Sequence, residues 1–190
     1  MTPVAESDEG LLRRYALGDC DAFAILYRRH EIRVWRYLER NVGNRASAEE
    51  LMQEVWFAVA RDAARYQPRA RFTTWLFTIA RNRMIDSLRT TRRVSSLDSM
   101  GYEAPAVLPQ LTTEPQVGPL AATLIREQVA AVTRALGQLP PAQRDALLLQ
   151  LEGELTVEEV AAVTDSNVET TRSRLRYARS KLRELLCEYA

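Results

Sequence analysis

Cysteine is nearly absent from this 190-residue chain. Cys20 and Cys187 stand far apart with no CxxC spacing, so they read as reduced thiols or buried small residues, a redox or metal role being the alternative. Histidine occurs once, as His30 beside Arg28 and Arg29 on a predicted helix, where it reads as a surface residue and not as a base or ligand. There is no Gly-rich phosphate loop, no Ser/His/Asp set and no metal-spaced cluster. The chain therefore calls for no cofactor or metal, has no catalytic constellation and is not read as an enzyme. Glycine and proline are sparse, at 7 and 8 residues, which argues against a turn-rich β protein. No apolar run approaches the roughly 18 residues of a membrane span. The opening MTPVAESDEG is acidic and lacks the apolar stretch of a secretory signal, so the expected compartment is the cytoplasm.

What is present is apolar periodicity and unevenly placed charge. At 46% hydrophobic and 27% charged, the composition suits a soluble globular protein of one ordinary or two small domains. The net charge of +1 conceals four blocks. Residues 1–95 carry 17 Arg against 12 acids, and 96–120 carry three acids and no base. Residues 121–169 carry three bases against eight acids, and 170–190 carry six against two. Two basic surfaces separated by acidic ones suit a protein that meets a polyanion at two places.

Helical patterning runs almost unbroken through residues 8–93 and resumes at 120–187. Between them, SSLDSMGYEAPAVLPQLTTEPQVGP concentrates proline, glycine and Ser/Thr with no helical period. It reads as a flexible linker over 95–119 that could span on the order of 80 Å at about 3.3 Å per residue. The fold class is thus all-α: two small helical domains, 1–94 and 120–190, joined by that linker. In the first, Ser7 can cap a short helix and Asp21 a long one. Ser47-Ala-Glu-Glu50 is a capping-box pattern, and a further helix covers 72–91. In the second, Pro140-Pro141 starts a helix that Gly153 stops. Thr156-Val-Glu-Glu159 is another capping box, Asp165-Ser166-Asn167 makes a tight turn, and a last helix begins at Val168.

Three helix faces carry chemistry. On the last helix, Val168, Thr171, Leu175, Ala178, Leu182 and Leu185 share one side at 100° per residue. Glu169, Thr170, Ser173, Arg176, Tyr177 and Ser180 face the other way, flanked by Arg172, Arg174 and Arg179. A capped short helix, a tight turn and a basic helix form the helix-turn-helix layout, whose second helix fits the DNA major groove. The alternative is a solvated arginine face on a bundle helix.

On the helix at 72–93, Leu76, Phe77, Ala80, Met84 and Leu88 read as buried, while Trp75, Asn82, Asp86, Arg89 and Arg93 line a separate stripe. A ring on one face with an amide, a carboxylate and arginines suits stacking of an unpaired base beside phosphate and base-edge contacts. Packing of Trp75 into the core is the competing reading. Arg69 and Arg71, with Phe72, lead into this stripe. On the helix beginning near residue 48, Glu50, Gln53 and Glu54 surround Phe57. An acidic face repels DNA, and an apolar anchor ringed by polar groups suits a protein partner. A merely solvated face with one stray Phe is the alternative.

These segments together resemble extracytoplasmic-function (ECF) sigma factors of the sigma-70 family of RNA polymerase. Ala48-Glu-Glu-Leu-Met-Gln-Glu-Val-Trp56 is similar to region 2.2, and FTTWLFTIARNRMID at 72–86 to regions 2.3 and 2.4, where the family usually reads F-x-x-W-L-x-x-I-A-R-N-x-x-I-D. Leu139-Pro-Pro-Ala-Gln-Arg144 and residues 155–182 resemble regions 4.1 and 4.2. The resemblance implies a promoter-specific initiation factor whose partners are core RNA polymerase (β′ clamp helices and β flap), promoter DNA and, as for many members, an anti-sigma factor. It would work in the cytoplasm, nucleoid-associated when active. It implies −10 recognition and melting by Phe72, Trp75, Arg81, Asn82, Asp86, Arg89 and Arg93. It implies −35 recognition by Glu169, Thr170, Arg172, Ser173, Arg176, Tyr177 and Arg179. Core polymerase would be gripped through Glu50, Gln53, Glu54 and Phe57, with the acidic linker threading toward the RNA exit channel. Two departures stand out: the helix-turn-helix turn usually reads Leu-Gly-Ile-Pro where this chain has Thr164-Asp-Ser-Asn167, and Thr171 replaces a commonly apolar residue. Both predict looser packing between the two motif helices. A helix-turn-helix regulator with a sensor or oligomerisation domain in residues 1–95 is the main rival reading, though it leaves Trp75, Asn82 and Asp86 unexplained. A helical enzyme has no supporting residues.

Overall fold

The structure, a computed structural model, describes residues 6–68, 70–95 and 119–187; the expectations for the linker fall outside the described residues. Among the described residues, eight α-helices run in order: α1 Asp8–Ala16, α2 Cys20–Val42, α3 Arg45–Asp62, α4 Phe72–Ser95, α5 Pro119–Gly137, α6 Pro141–Glu152, α7 Val157–Val163 and α8 Val168–Leu186, with a 3-10 turn at Ala63–Arg65 after α3. No strand occurs among the described residues, and no described helix is long and apolar enough to cross a membrane.

Local side chains set most boundaries. Ser7 accepts from the Gly10 N–H at 3.1 Å and opens α1. The cap of α2 is Asp19, not Asp21: its carboxylate accepts from the N–H groups of Asp21 and Ala22, because the chain is still extended at Asp19. Likewise α3 opens two residues before Ser47. Asn44 is the cap and accepts from the Ser47 N–H at 3.0 Å, just after Gly43 closes α2 in the left-handed region at φ 67°. Each such cap contributes about 1 kcal/mol. The Thr156 box forms in full: Glu159 donates its N–H to the Thr156 hydroxyl, and its carboxylate accepts from the Thr156 N–H at 2.8 Å.

The buried faces of α1–α4 and of α5–α8 join into one continuous apolar core. Leu26, Val34 and Leu38 of α2, Val55 and Val59 of α3, and Leu76, Phe77, Ala80 and Met84 of α4 supply the front part. Leu136, Leu139, Leu147, Leu148, Leu149, Val160 and Leu175 supply the rear. Leu88, expected on the buried side, is partly exposed, since α4 runs on past its last described buried position at Met84. Where front meets rear, Gly153 lies against Phe77. A Cβ there would stand 2.5 Å from the Leu149 carbonyl oxygen and 3.3 Å from the Phe77 ring.

His30 corrects the sequence reading most sharply, because it is only 4% exposed. The first turn of α1 folds over it: Nε2 lies 2.7 Å from an Asp8 carboxylate oxygen, and the ring centroid is 5.3 Å from that of Phe72. The other Asp8 oxygen accepts from Arg29 at 2.8 Å. Burial works to raise the Asp8 pKa, but the hydrogen bonds and charges of His30 and Arg29 together outweigh it, so the carboxyl titrates below its ordinary range.

Two stability measurements follow from this packing. Gly153→Ala should cost about 1–3 kcal/mol through overpacking, lowering the thermal midpoint followed by circular dichroism. Gly137→Ala, whose added Cβ meets nothing within 4 Å, serves as the control and should leave the midpoint nearly unchanged. A carboxyl with a depressed pKa stabilises the fold above its ordinary titration range, and that contribution disappears as pH falls through its folded-state value. Asp8→Asn should therefore cost about 1.5–3 kcal/mol near neutrality, as expected for hydrogen bonds to charged groups. The difference between variant and parent should shrink below about pH 4, as read from denaturant midpoints at each pH.

Candidate nucleic-acid interface

The start of α4 is held from a distance. The Phe72 N–H donates to a Glu9 carboxylate oxygen at 2.9 Å, so α1 supplies the acceptor that α4 lacks locally. Phe72 itself, expected among the DNA-contacting residues, is 1% exposed and packs between His30 and Trp75. The neighbouring Trp75 is half-buried, with its ring 5.0 Å from Tyr66 and 6.0 Å from Phe72. One part of the Trp75 ring thus rests on the core while the rest is accessible. Further along, Asn82, Asp86 and Arg89 are exposed, with Arg89 3.8 Å from Asp86. Arg93 continues α4, but its side chain lies outside the described residues.

Arg81 is drawn away from this strip. Its Nε donates to Asp145 at 2.8 Å and its Nη1 to the Val163 carbonyl at 3.2 Å. Asp145, 7% exposed, also accepts from the Tyr37 hydroxyl at 2.8 Å. Burial first, and the Asp145 carboxylate next, hold the Tyr37 hydroxyl well above the ordinary phenol range. Around this triad Arg40 meets Glu152 at 2.5 Å, Thr74 donates to Glu159 at 2.7 Å, and Arg33 pairs with Glu154. Arg71 lies 3.8 Å from Glu159. All the arginines belong to the front half and all the carboxylates to the rear. Part of the charge asymmetry read as two polyanion-binding surfaces is therefore spent within the molecule. Alongside, Arg81, Asn82, Ile85, Asp86 and Arg89 face Thr164 and Asp165 across an open cleft of about 470 Å³.

The helix-turn-helix is tighter than its departures predicted. Thr171 is fully buried, and its hydroxyl pairs with Ser166 at 2.8 Å and with the Asn167 carbonyl at 3.1 Å. Ser166 in turn pairs with Thr164, whose hydroxyl donates to the Val160 carbonyl at 2.8 Å. A chain of hydroxyls thus replaces apolar contact across the turn and leaves no polar group stranded. Asp165 adopts φ 49°, a left-handed conformation that Asp tolerates better than most residues. Asn167 caps α8 by accepting from the Thr170 N–H at 2.6 Å. Outward on α8, Glu169, Arg172, Arg176, Tyr177 and Arg179 are exposed, and Thr170 and Ser173 are half-buried beside them. Arg176 stacks over Tyr177 at 5.0 Å, and Arg172 lies near Glu158 and Glu169.

On α3, Glu50, Gln53 and Glu54 are exposed around Phe57, which is 74% exposed. Burying such a ring in a partner is worth about 1.5–3 kcal/mol. Sequence reasoning missed Glu9, Tyr37 and Asp145. For Asp145 the hint was the acidic block at 121–169 set against the basic front half.

Family models match two stretches, Sigma-70 region 2 at residues 26–94 and Sigma-70 region 4 at residues 130–182. The chain is 35% identical to the RNA polymerase sigma factor CarQ of Myxococcus xanthus, across 93% of this chain and 96% of that protein. It is 34% identical to the ECF sigma factor RpoE of Cereibacter sphaeroides, across 86% and 85%. Among solved structures, CnrH in complex with the cytosolic domain of CnrY shares the fold at TM-score 0.66 and 24% identity, covering 97% of this chain and 100% of that one. The sigma factor RpoE of Bartonella quintana, in complex with the anti-sigma factor NepR, shares it at 0.65 and 24%, covering 80% and 89%. With both conserved regions in order and near-full-length likeness to ECF factors, the chain belongs to the extracytoplasmic-function group of the sigma-70 family and directs promoter-specific transcription initiation by RNA polymerase.

Proposed function

We propose that residues 1–94 bind core polymerase and recognise and open the −10 element, that 95–119 link the halves, and that 120–190 read the −35 element as duplex. The observation that carries this reading is the strip on α4. Exposed Asn82, Asp86 and Arg89 continue from a half-buried Trp75 whose ring is braced by Phe72 and Tyr66. Unstacking a base costs a few kcal/mol, and capture on an aromatic platform returns about 1–3 kcal/mol per base. Phe72 then acts as the brace of that platform, and Arg81 and Arg93 serve the adjoining phosphates.

On α8, Arg172, Arg176 and Arg179 address guanine edges or phosphates, Glu169 accepts from a cytosine amine, and Thr170, Ser173 and Tyr177 complete the face. Glu50, Gln53, Glu54 and Phe57 grip the β′ clamp helices, and the rear half engages the β flap. Duplex anchoring by the rear half raises the effective concentration of the front half at its site. No step needs bond chemistry from this chain, so polymerase supplies all catalysis. The chain works in the cytoplasm, on the nucleoid when active. An anti-sigma factor is a further partner, of the kind that NepR is for the Bartonella protein.

Trp75→Ala should leave upstream duplex protection intact while lowering open-complex formation about tenfold, within the stacking range. Footprinting and permanganate reactivity of promoter thymines read the two effects separately, and equal loss of both would refute the assigned role. Glu54→Arg combined with Phe57→Ala should abolish co-purification with core polymerase and leave the thermal midpoint within a few degrees of the parent.

A further inference from the structure

Helix α4 begins without a cap of its own. Arg71, the residue before it, carries no side-chain acceptor, and the Thr73 hydroxyl in the first turn is buried with no hydrogen-bond partner among the described residues. Thr74, the next hydroxyl, donates to Glu159. The missing acceptor comes from 63 residues away, where the Glu9 carboxylate takes the Phe72 N–H at 2.9 Å. A carboxylate at this end of a helix also faces the positive pole of its dipole.

The same carboxylate acts on a second ring. Burial pushes the Tyr66 hydroxyl above its ordinary pKa, and the Glu9 charge adds to that shift. Tyr66 donates to the Ala70 carbonyl at 2.8 Å and so closes the turn that leads into α4. Tyr66 and Phe72 both contact Trp75, with ring centroids at 5.0 and 6.0 Å. Glu9 therefore bears on both supports of that ring. It rides on a fixed base, since Leu11 and Leu12 bury α1 in the core and Asp8 is tied to His30 and Arg29.

Resting on the function proposed above, we infer that Glu9 is a positioning residue for promoter opening: it fixes where α4 starts, and with it the seat of Trp75, without touching nucleic acid. A first turn whose N–H groups lack acceptors frays. Trp75 lies three residues from Phe72 and moves with that turn, whereas Asn82, Asp86 and Arg89 lie farther along a helix held by its own ladder. The duplex-reading helix α8 has a separate cap in Asn167 and does not depend on this bond. Loss of Glu9 thus acts on capture of the unpaired base and spares duplex binding.

The test uses holoenzyme made from the full chain and core polymerase, on a promoter fragment that the parent transcribes in run-off assays. Glu9→Ala should slow opening at saturating holoenzyme about fivefold, the loss of one cap expressed as a rate, followed by permanganate reactivity of thymines over time. Half-saturation of the upstream duplex footprint should move by no more than about twofold, because that anchoring belongs to the other half. Glu9→Gln keeps an acceptor oxygen at the same reach and should open within about twofold of the parent. Glu9→Asp keeps the charge but withdraws the oxygen by one methylene, and should be as slow as the alanine variant. In a Trp75→Ala background, Glu9→Ala should add no more than about a twofold loss, since residues that act through one another are not additive.

A glutamine variant as slow as the aspartate variant, or an aspartate variant as fast as the parent, overturns the inference. Both side chains suit the first turn of α1, so this comparison decides the matter even if Glu9→Ala fails to fold. Equal loss of footprint and opening overturns it too, as does a fivefold loss that persists without the Trp75 ring. A parent with no promoter-dependent transcript, or a Trp75→Ala variant that opens promoters normally, sinks the proposed function. A slow Trp75→Ala variant beside a normal Glu9→Ala variant sinks only the role of Glu9.

Discussion

One buried carboxylate, Asp145, lies at the centre of the polar contacts that join the two halves of this molecule. It sits almost out of water between the Arg81 guanidinium and the Tyr37 hydroxyl, each at 2.8 Å. A buried charge held this way contributes little net stability over an apolar replacement, yet leaving it without one partner costs about 3–5 kcal/mol. The arrangement therefore specifies one docking geometry more than it strengthens the fold. The flanking pairs of Arg40, Arg33 and Arg71 fall in the same register, and Gly153 lets Phe77 approach without a Cβ between them. The interface thus combines paired charge with apolar contact between the two halves, whose buried faces form one continuous core.

The exposed strip on α4 depends on support from the first turn of α1. Asp8 and Glu9, adjacent in the first turn of α1, reach His30 and the Phe72 N–H respectively. His30 and Phe72 are in ring contact, and Phe72 carries Trp75. The Trp75 ring therefore rests on a buried, hydrogen-bonded foundation. In the rear motif the same need is met by different chemistry. Hydroxyls of Thr164, Ser166 and Thr171 lock the turn where an apolar contact is the common solution. A polar turn thus need not be a loose one, provided that every group finds a partner.

Much of this was readable from the chain alone, because the signals are local. Periodicity marked the helical stretches at 8–93 and 120–187, the Thr156 box formed both of its bonds, and α8 divides into buried and exposed faces along the predicted line. The acidic α3 face around Phe57 and the exposed Asn82, Asp86 and Arg89 also followed from spacing at 100° per residue. Cap assignments slipped by two or three residues at Asp19 and Asn44, where two capping residue types stand close together and only backbone conformation chooses between them.

Tertiary structure decided whatever depends on partners distant in sequence. His30 reads as a surface residue beside two arginines until α1 folds over it. Phe72 and Arg81 read as DNA-contacting residues, and the fold buries the first and pairs the second with Asp145, 64 residues away. Periodicity states which face of a helix is apolar, but not what covers that face or which charge answers which. The sequence by itself determined the helices, their faces and the family. Only the folded chain decided that the basic front half and the acidic stretch behind it meet each other, because opposite charges far apart in a chain attract without specifying where they will touch.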